Sequence, residues 1–256
     1  AYLGTCYFLT GDPDRSARAL AESIELNATR NATEYARKEN LLFGFDDFYK
    51  GWKRVESDNF IFYFQDMSDA ETERFRSSTE SAYLKINDFF KSTLLKKIHF
   101  FVWESREDAL SLLGANLGFA APEFCVVHAH AEQTQGHEMT HVISHFSTRI
   151  LRKTELINEG TSVYFDLSDR NMHQSVIRWI KTHHKVSIRD VWTNWHNYPD
   201  ELRYPLSGLF VKELIETYGR AKYLEFLGDQ TYENARRVFG EDLNKVIEEL
   251  ENRINV

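Results

Sequence analysis

The chain has few cysteines and lacks a long apolar run. Cys6 and Cys125 are far apart in the sequence, and each suits a small buried apolar position better than half of a disulfide. No stretch approaches the roughly 20 consecutive apolar residues that a membrane helix needs. These two shortages exclude a disulfide framework and a protein that spans a membrane.

Positive charge is also in short supply. The chain has 31 Lys and Arg against 39 Asp and Glu, a net charge of -8, and no stretch is basic enough to predict a nucleic-acid-binding face. We therefore expect no nucleic-acid partner.

Hydrophobic residues at 42% and charged residues at 27% are typical of a folded globular protein. A length of 256 residues allows either one domain with two lobes or two modest domains.

Internal repeats and low-complexity tracts are absent as well, so the organisation must be inferred from periodicity. Residues 14–38 are rich in Ala, Glu, Arg and Leu and do not alternate as a strand would. They predict an N-terminal helical extension over residues 1–50.

Residues 51–168 alternate between strand and helix patterns, which predicts a mixed α/β lobe. A capping box of Ser68 and Glu71 begins a long helix whose apolar residues recur at steps of three and four. Short β-branched and aromatic runs on either side of it predict strands. The predicted strands are Phe60–Phe64, Ile98–Trp103 and Cys125–His130, with a short helix at Arg106–Leu113.

Residues 169–256 show helical patterns alone and predict a helical C-terminal lobe. The whole chain is therefore of the α+β class, a small mixed sheet with helices followed by an all-helical lobe. The predicted helices are Val176–His183, Tyr204–Tyr218 ended by Gly219, Tyr232–Phe239 ended by Gly240, and Leu243–Ile254.

The clearest chemical signal is a His-Glu-x-x-His motif at residues 137–141. Its spacing places His137 and His141 on one helix face, one turn apart, as two metal ligands. Glu138 lies beside them, where it can reach a water on the metal without being a ligand, as a general base requires. The motif also arises by chance, but here it follows a predicted strand.

A catalytic zinc site usually takes three protein ligands and leaves one position open. Glu159, in the helical stretch Leu156–Phe165 a short loop after the motif, supplies the third ligand if the two helices form an antiparallel pair. Two imidazoles and one carboxylate suit zinc better than calcium or magnesium. We therefore expect Zn²⁺ at this site.

The motif HEMTH followed by INEGTSVYF resembles the gluzincin zinc metallopeptidases, the group that includes thermolysin and the zinc aminopeptidases, and especially small bacterial "peptidase MA-like" proteins. The stretch from Tyr204 to Gly219 is similar to the helix that follows the ligand helices in that group. The resemblance extends over about residues 55–250, and it implies a zincin-like, thermolysin-like catalytic domain.

The resemblance also implies roles for individual residues. His137, His141 and Glu159 would bind zinc, and Glu138 would activate the water. A tyrosine or histidine of the helical lobe would stabilise the oxyanion. Tyr204 is the first candidate, followed by Tyr198, His183 and His184. The strand before the motif would run along the bound peptide, which nominates Val127, His128, Ala129 and His130 for substrate binding.

Two departures limit what the resemblance implies. The Gly-x-Met-Glu-Asn element with which the aminopeptidases hold a free N-terminus is missing before His137, so exopeptidase action is not supported. Thermolysin-like enzymes carry an Asp four residues after the ligand Glu, whereas this chain has Val163 there. A partner that orients a ligand histidine must come from elsewhere, and Asp166 is a candidate.

The function expected from the sequence is zinc-dependent hydrolysis of peptide bonds in a peptide or protein substrate, of endopeptidase type. The alternative is a catalytically silent zincin-fold binding module with a structural or vestigial metal site. Degradative enzymes of this kind are commonly exported, so we expect an extracytoplasmic location, whether periplasmic, lipid-anchored or secreted. A third possibility is a regulated peptidase whose residues 1–50 cover the cleft.

Overall fold

The computed structural model describes residues 1–115 and 117–255, in which helices dominate and five short strands form one sheet. The mixed α+β class predicted from the sequence is confirmed. Within the described ranges the helices are α1 (Tyr2–Leu9), α2 (Pro13–Leu26), α3 (Arg30–Leu42), α4 (Asp69–Phe90), α5 (Arg106–Leu113), α6 (Gly136–His145), α7 (Glu155–Tyr164), α8 (Met172–Thr182), α9 (Ile188–Thr193), α10 (Asp200–Leu227), α11 (Tyr232–Phe239) and α12 (Asp242–Ile254). The strands are β1 (Lys53–Glu56), β2 (Phe60–Phe64), β3 (Ile98–Trp103), β4 (Phe119–Ala121) and β5 (Val126–His130).

The sheet has the strand order β1-β2-β3-β5-β4, with β2, β3 and β5 parallel and the two outer strands antiparallel to their neighbours. Strands β2 and β3 have the predicted bounds. Strand β5 begins one residue later than predicted because Cys125 has a left-handed backbone, with φ 51°. The edge strands β1 and β4 were not predicted, since four and three residues are too few to show a period.

The contacts divide the chain into two compact units, at different points from the lobes expected from the sequence. Unit 1 contains residues 1–83 and 93–133, and unit 2 contains residues 84–92 and the chain from Thr134 onward. The predicted mixed lobe, 51–168, is thus divided before the motif helix. The physical reason is that α6 packs against α7, and α7 packs in turn against α10.

Unit 1 is built on an aromatic sheet, to which the N-terminal helices contribute part of the core. One core cluster joins Phe8 of α1, Leu20 of α2 and Ala36 of α3 to Phe101 and Trp103 of β3. Phe62 and Phe64 are alternate residues of β2, and the ring of Phe75 from α4 makes edge contacts with both of their rings. Residues 1–50 contain helices α1, α2 and α3, and several of their side chains belong to the core of this unit.

Two helix predictions need correction and one local prediction is confirmed. The helical run 14–38 is two helices, because Asn27 takes a left-handed conformation, with φ 42°, at the end of α2. Helix α9 was not predicted at all. The capping box is present at the start of α4: the N–H of Ser68 donates to Glu71 Oε2 at 3.0 Å, and the N–H of Glu71 donates to Ser68 Oγ at 3.3 Å.

Unit 2 is organised by the close packing of α7 against α10. A Cβ atom added at Gly160 would lie 2.5 Å from the backbone oxygen of Ser207, and one added at Gly208 would lie 2.4 Å from Val163. A hydroxyl contact of 2.6 Å between Thr161 and Tyr223 joins the two helices further along. Among the described residues, no helix has both the length and the apolar composition required to cross a bilayer.

We expect Gly160→Ala to destabilise the protein by about 1–3 kcal/mol, because the added methyl group meets backbone that cannot move away without separating α7 from α10. Chemical denaturation measures the free energy of unfolding. The matched control is Ser162→Ala on the same helix, which removes a buried hydroxyl that has no hydrogen-bond partner and should be nearly neutral. Equal stability of the Gly160 variant and the wild type would contradict the proposed packing constraint.

Candidate metal centre

Helix α6 carries the motif with its polar face directed away from the core. Met139, Val142 and Ile143 are fully buried, and they fix the orientation of the helix about its axis. His137 and His141 then share the opposite face, one turn apart, with their ring centroids 5.2 Å from each other. The i, i+4 geometry predicted from the sequence is therefore present.

Both ends of α6 are held by contacts within unit 2. A Cβ atom at Gly136 would lie 2.2 Å from the backbone oxygen of Phe165, so a residue without a side chain is required where the helix begins. At the other end, the hydroxyl of Ser92 donates to the backbone oxygen of Ile143 at 2.7 Å. These contacts set the position of the histidine pair relative to the end of α7.

Glu159, on α7, directs its carboxylate at both histidines. Its Oε2 atom lies 3.4 Å from His137 Nε2 and 3.5 Å from His141 Nε2. Burial raises the pKa of Glu159, but the two imidazoles outweigh burial and hold that pKa well below its usual range. The side chain that the sequence proposed as the third ligand is thus ionised and close to both histidines.

The two distances from Glu159 Oε2 to the imidazole nitrogens fit ligands of a shared metal ion better than direct hydrogen bonds. Charge-assisted N–H···O bonds are usually about 2.7–2.9 Å long, well below the distances observed here. Two ligands that each lie about 2.0–2.1 Å from a tetrahedral zinc are separated by roughly 3.3–3.5 Å. Two imidazole nitrogens and a carboxylate oxygen are also a donor set that zinc accepts, so the residues fit the ion.

Glu138 also lies near the histidines. One nitrogen of each imidazole and one oxygen of Glu138 all lie within 4.8 Å of one another. We consider Glu159 the better candidate ligand, because one of its oxygens lies 3.4 and 3.5 Å from the two Nε2 atoms and the imidazoles keep it ionised. Burial raises the pKa of Glu138, against the opposing charges of His137 and His141. In the described part of the chain, its carboxylate has no hydrogen bond or ion pair, so it is free to take a proton.

Asn158 contacts two of the candidate ligands, a role that sequence reasoning missed. Its amide nitrogen lies 3.2 Å from Nδ1 of His141 and donates to Oε1 of Glu159 at 2.9 Å. Such contacts orient an imidazole so that Nε2 faces the metal position. The sequence feature that could have indicated this role is the position of Asn158 directly before Glu159 in the Asn-Glu-Gly stretch.

Asp166, the candidate partner for a ligand histidine, is buried just after α7, and its charge contributes to a raised pKa of His137. Burial lowers that pKa, but the nearby carboxylate of Glu159 and the negative charges of Glu138 and Asp166 outweigh burial. The Oδ1 atom of Asp166 accepts the backbone N–H of Ser168 at 2.7 Å. Asp166 therefore acts on His137 through its charge.

Tyr204, on the first turns of α10, lies beside the centre, with its ring centroid 6.2 Å from that of His137. Burial, together with the charges of Glu159 and Asp200, raises its pKa to about 12, so the phenol is protonated at neutral pH. Its hydroxyl has no hydrogen-bond partner among residues 1–115 and 117–255. Of the other donor candidates, Tyr198 is bound to Asp190 and His183 is stacked on Trp179.

The residues nominated for substrate binding lie on β5, in unit 1. Val127 and His128 pair with β3 on one side and with β4 on the other. The imidazole of His128 is buried between Trp103 Nε1, at 3.1 Å, and the backbone oxygen of Leu42, at 3.0 Å. Ala129 is buried and His130 is half-exposed. The substrate role of this strand stays a prediction, and the free edge of the sheet on this side is β4.

Comparisons with known proteins assign no family to the chain: no protein-family model matches it, and no curated protein is significantly similar to it. The geometry of the site is therefore the main indication of function.

We expect Glu159→Ala to lower zinc affinity by more than about a hundredfold, because changes to residues that merely support a ligand already cost up to that factor. Metal content after dialysis and a competition titration with a chelator give the measurement. The matched control is Glu155→Ala, at the exposed start of the same helix, which should bind zinc like the wild type. Loss of zinc from both variants would point to damage to α7 rather than to a lost ligand.

Proposed function

We propose that the protein is a zinc-dependent metallopeptidase of the gluzincin type, with an endopeptidase-like mode of action. The observation that carries the proposal is the convergence of Glu159 Oε2 on the Nε2 atoms of His137 and His141. The adjacent Glu138 has no hydrogen bond or ion pair among the described residues, and a carboxylate available for proton transfer beside the histidines supports catalysis rather than a purely structural metal site.

His137, His141 and Glu159 would hold the ion, which when bound would supply Lewis acidity and lower the pKa of a water molecule. Glu138 would accept a proton from that water as it attacks the scissile carbonyl carbon. Its raised pKa suits this step, because a base whose pKa lies closer to neutrality can also return the proton. The proton would then pass to the leaving amine nitrogen as the C–N bond breaks.

The hydroxyl of Tyr204 would donate a hydrogen bond to the oxyanion that develops on the substrate carbonyl. Its raised pKa keeps it protonated, and no other group of the described chain occupies its hydrogen. A donor that is already in place is worth most in a partly buried site, because no solvent must reorganise around it. Tyr204 is half-buried.

Replacing Glu138 by Gln should leave zinc bound and lower peptide cleavage by about a hundredfold to ten-thousandfold, because glutamine cannot accept the proton. The assay is hydrolysis of an unfolded protein such as casein, inhibited by a chelator and restored by zinc. Metal content is measured on the same samples.

Comparing variants of the two glutamates distinguishes loss of catalysis from loss of the metal. Glu138→Gln should lose activity with zinc retained, whereas Glu159→Ala should lose both. If the wild type binds zinc but cleaves nothing across a broad peptide library, the protein is the non-catalytic binding module instead. Full activity of Glu138→Gln would refute the proposed base.

Tyr204→Phe should lower kcat by roughly a hundredfold to a thousandfold, with a smaller change in KM, since the lost hydrogen bond forms mainly in the transition state. Tyr198→Phe is the matched control: it also removes a phenol hydroxyl from the same unit, but one already bonded to Asp190. Equal effects of the two substitutions on kcat would show that Tyr204 is not the oxyanion donor.

A further inference from the structure

A second feature of unit 2 is a segment with only one sign of charge. Residues 170–189, here called the cationic segment, contain five of the 31 Lys and Arg and none of the 39 Asp and Glu. They also contain three of the ten histidines. In a chain with a net charge of -8, this is a strong local reversal of sign that the metal site does not explain.

The positive side chains of this segment are exposed and form no ion pairs within the described residues, although the guanidinium of Arg189 stacks on the ring of Tyr232 at 4.2 Å. Arg170, Arg178, Lys181, Lys185 and Arg189 are all exposed. None of the five is in an ion pair within the described residues, whereas sixteen other Lys and Arg side chains are. Their charge is therefore available to an external anion.

Hydrogen bonds to the backbone and a stacked ring hold the cationic segment in place. Asn255 forms two hydrogen bonds with the backbone of Val186, at 2.9 and 3.0 Å, and Glu251 accepts the backbone N–H of Ile188 at 2.7 Å. The ring of His183 stacks on Trp179 at 4.2 Å, which folds the loop back on the last turn of α8. A surface fixed in this way loses little conformational entropy when it binds.

Of the carboxylates that border the segment, Asp190 and Glu251 are already engaged, whereas Asp169, directly before Arg170, is exposed. Asp190 accepts hydrogen bonds from Asn194 and Tyr198, and Glu251 is committed to the backbone of Ile188. They therefore do not neutralise the exposed cations of α8 and the following loop through direct pairing.

The net negative charge of the rest of the chain indicates which kind of anion the segment can bind. A bilayer or a long nucleic acid extends far beyond the segment and would also meet the excess of negative charge elsewhere on the chain. A short peptide can lie on the segment alone, and charges farther from it than about one Debye length, roughly 8 Å at physiological salt, are largely screened.

The apolar groups of the segment point the same way. Val176 and Ile180, the apolar face of α8, are buried in the protein and cannot enter a bilayer. One face of Trp179 is covered by His183, so it does not offer an open platform for a nucleic-acid base. What remains exposed is a set of hydrogen-bond donors with positive charge.

We propose that the cationic segment is a docking site for acidic peptide segments, rich in Asp and Glu, of a partner protein. Guanidinium and ammonium groups bind carboxylates through charge-assisted hydrogen bonds. This inference is independent of the proposed peptidase activity, because it concerns binding without turnover.

The test is fluorescence anisotropy of a labelled Glu-rich peptide with the full chain, beside a peptide of the same length with Gln in place of Glu. The Glu-rich peptide should bind, more weakly as salt rises, and the Gln peptide should not. The combined variant Arg178→Gln, Lys181→Gln, Lys185→Gln should lose affinity by on the order of tenfold, since each exposed ionic contact contributes modestly.

A matched variant removes the same charge elsewhere. Arg74, Lys85 and Lys153 are exposed and have no ion pair within residues 1–115 and 117–255. Replacing these three by Gln should leave affinity nearly unchanged. Equal losses in the two triple variants, or no loss in the first, would overturn the proposal. So would segment-dependent binding of phosphatidylserine vesicles or single-stranded DNA in the absence of peptide binding.

Discussion

The site depends on one spatial constraint: a carboxylate on α7 must reach two imidazoles on α6. Glu159 Oε2 meets both Nε2 atoms at nearly equal distances of 3.4 and 3.5 Å, which two helices achieve only if each is fixed in depth and rotation. Gly136 allows the start of α6 to approach the end of α7, and Gly160 allows α7 to approach α10. The lack of a side chain at Gly136 and at Gly160 therefore allows the helix positions that bring the carboxylate and the imidazoles together.

The two glutamates near the histidines differ in their surroundings, and the difference divides their roles. Glu159 is held ionised by two imidazoles, and Asn158 donates to its other oxygen. Glu138 is buried, has no hydrogen bond or ion pair in the described part of the chain, and has a pKa raised by burial. Opposite pKa shifts on neighbouring carboxylates are a common way to obtain a ligand and a base from one residue type.

The cationic segment and the metal centre belong to the same unit but are built differently. The metal centre is half-buried, and its charges are balanced over distances of a few ångströms. The segment is exposed, and its charges are not paired. Buried charges act through geometry, whereas exposed charges act through screened, longer-range attraction, so different changes in solution conditions should affect the two.

Local sequence was sufficient wherever neighbours along the chain decide the structure. The capping box of α4, the glycine break in α10 at Gly219 and the two buried strands β2 and β3 follow from short patterns. The spacing of His137 and His141 likewise places both on one face, because helix geometry fixes an i, i+4 pair.

Tertiary structure decided what depends on distant residues. Strands β1 and β4 exist because a longer strand offers them hydrogen bonds, and the run 14–38 breaks where Asn27 lets α3 turn back on α2. His128 is buried by Trp103 and Leu42, and Asn158 supports His141 from another helix. The sequence by itself determined that His137, Glu138 and His141 share one helix, because local helix geometry fixes their spacing. The packing of α7 between α6 and α10 decided that the carboxylate of Glu159 points at the two histidines.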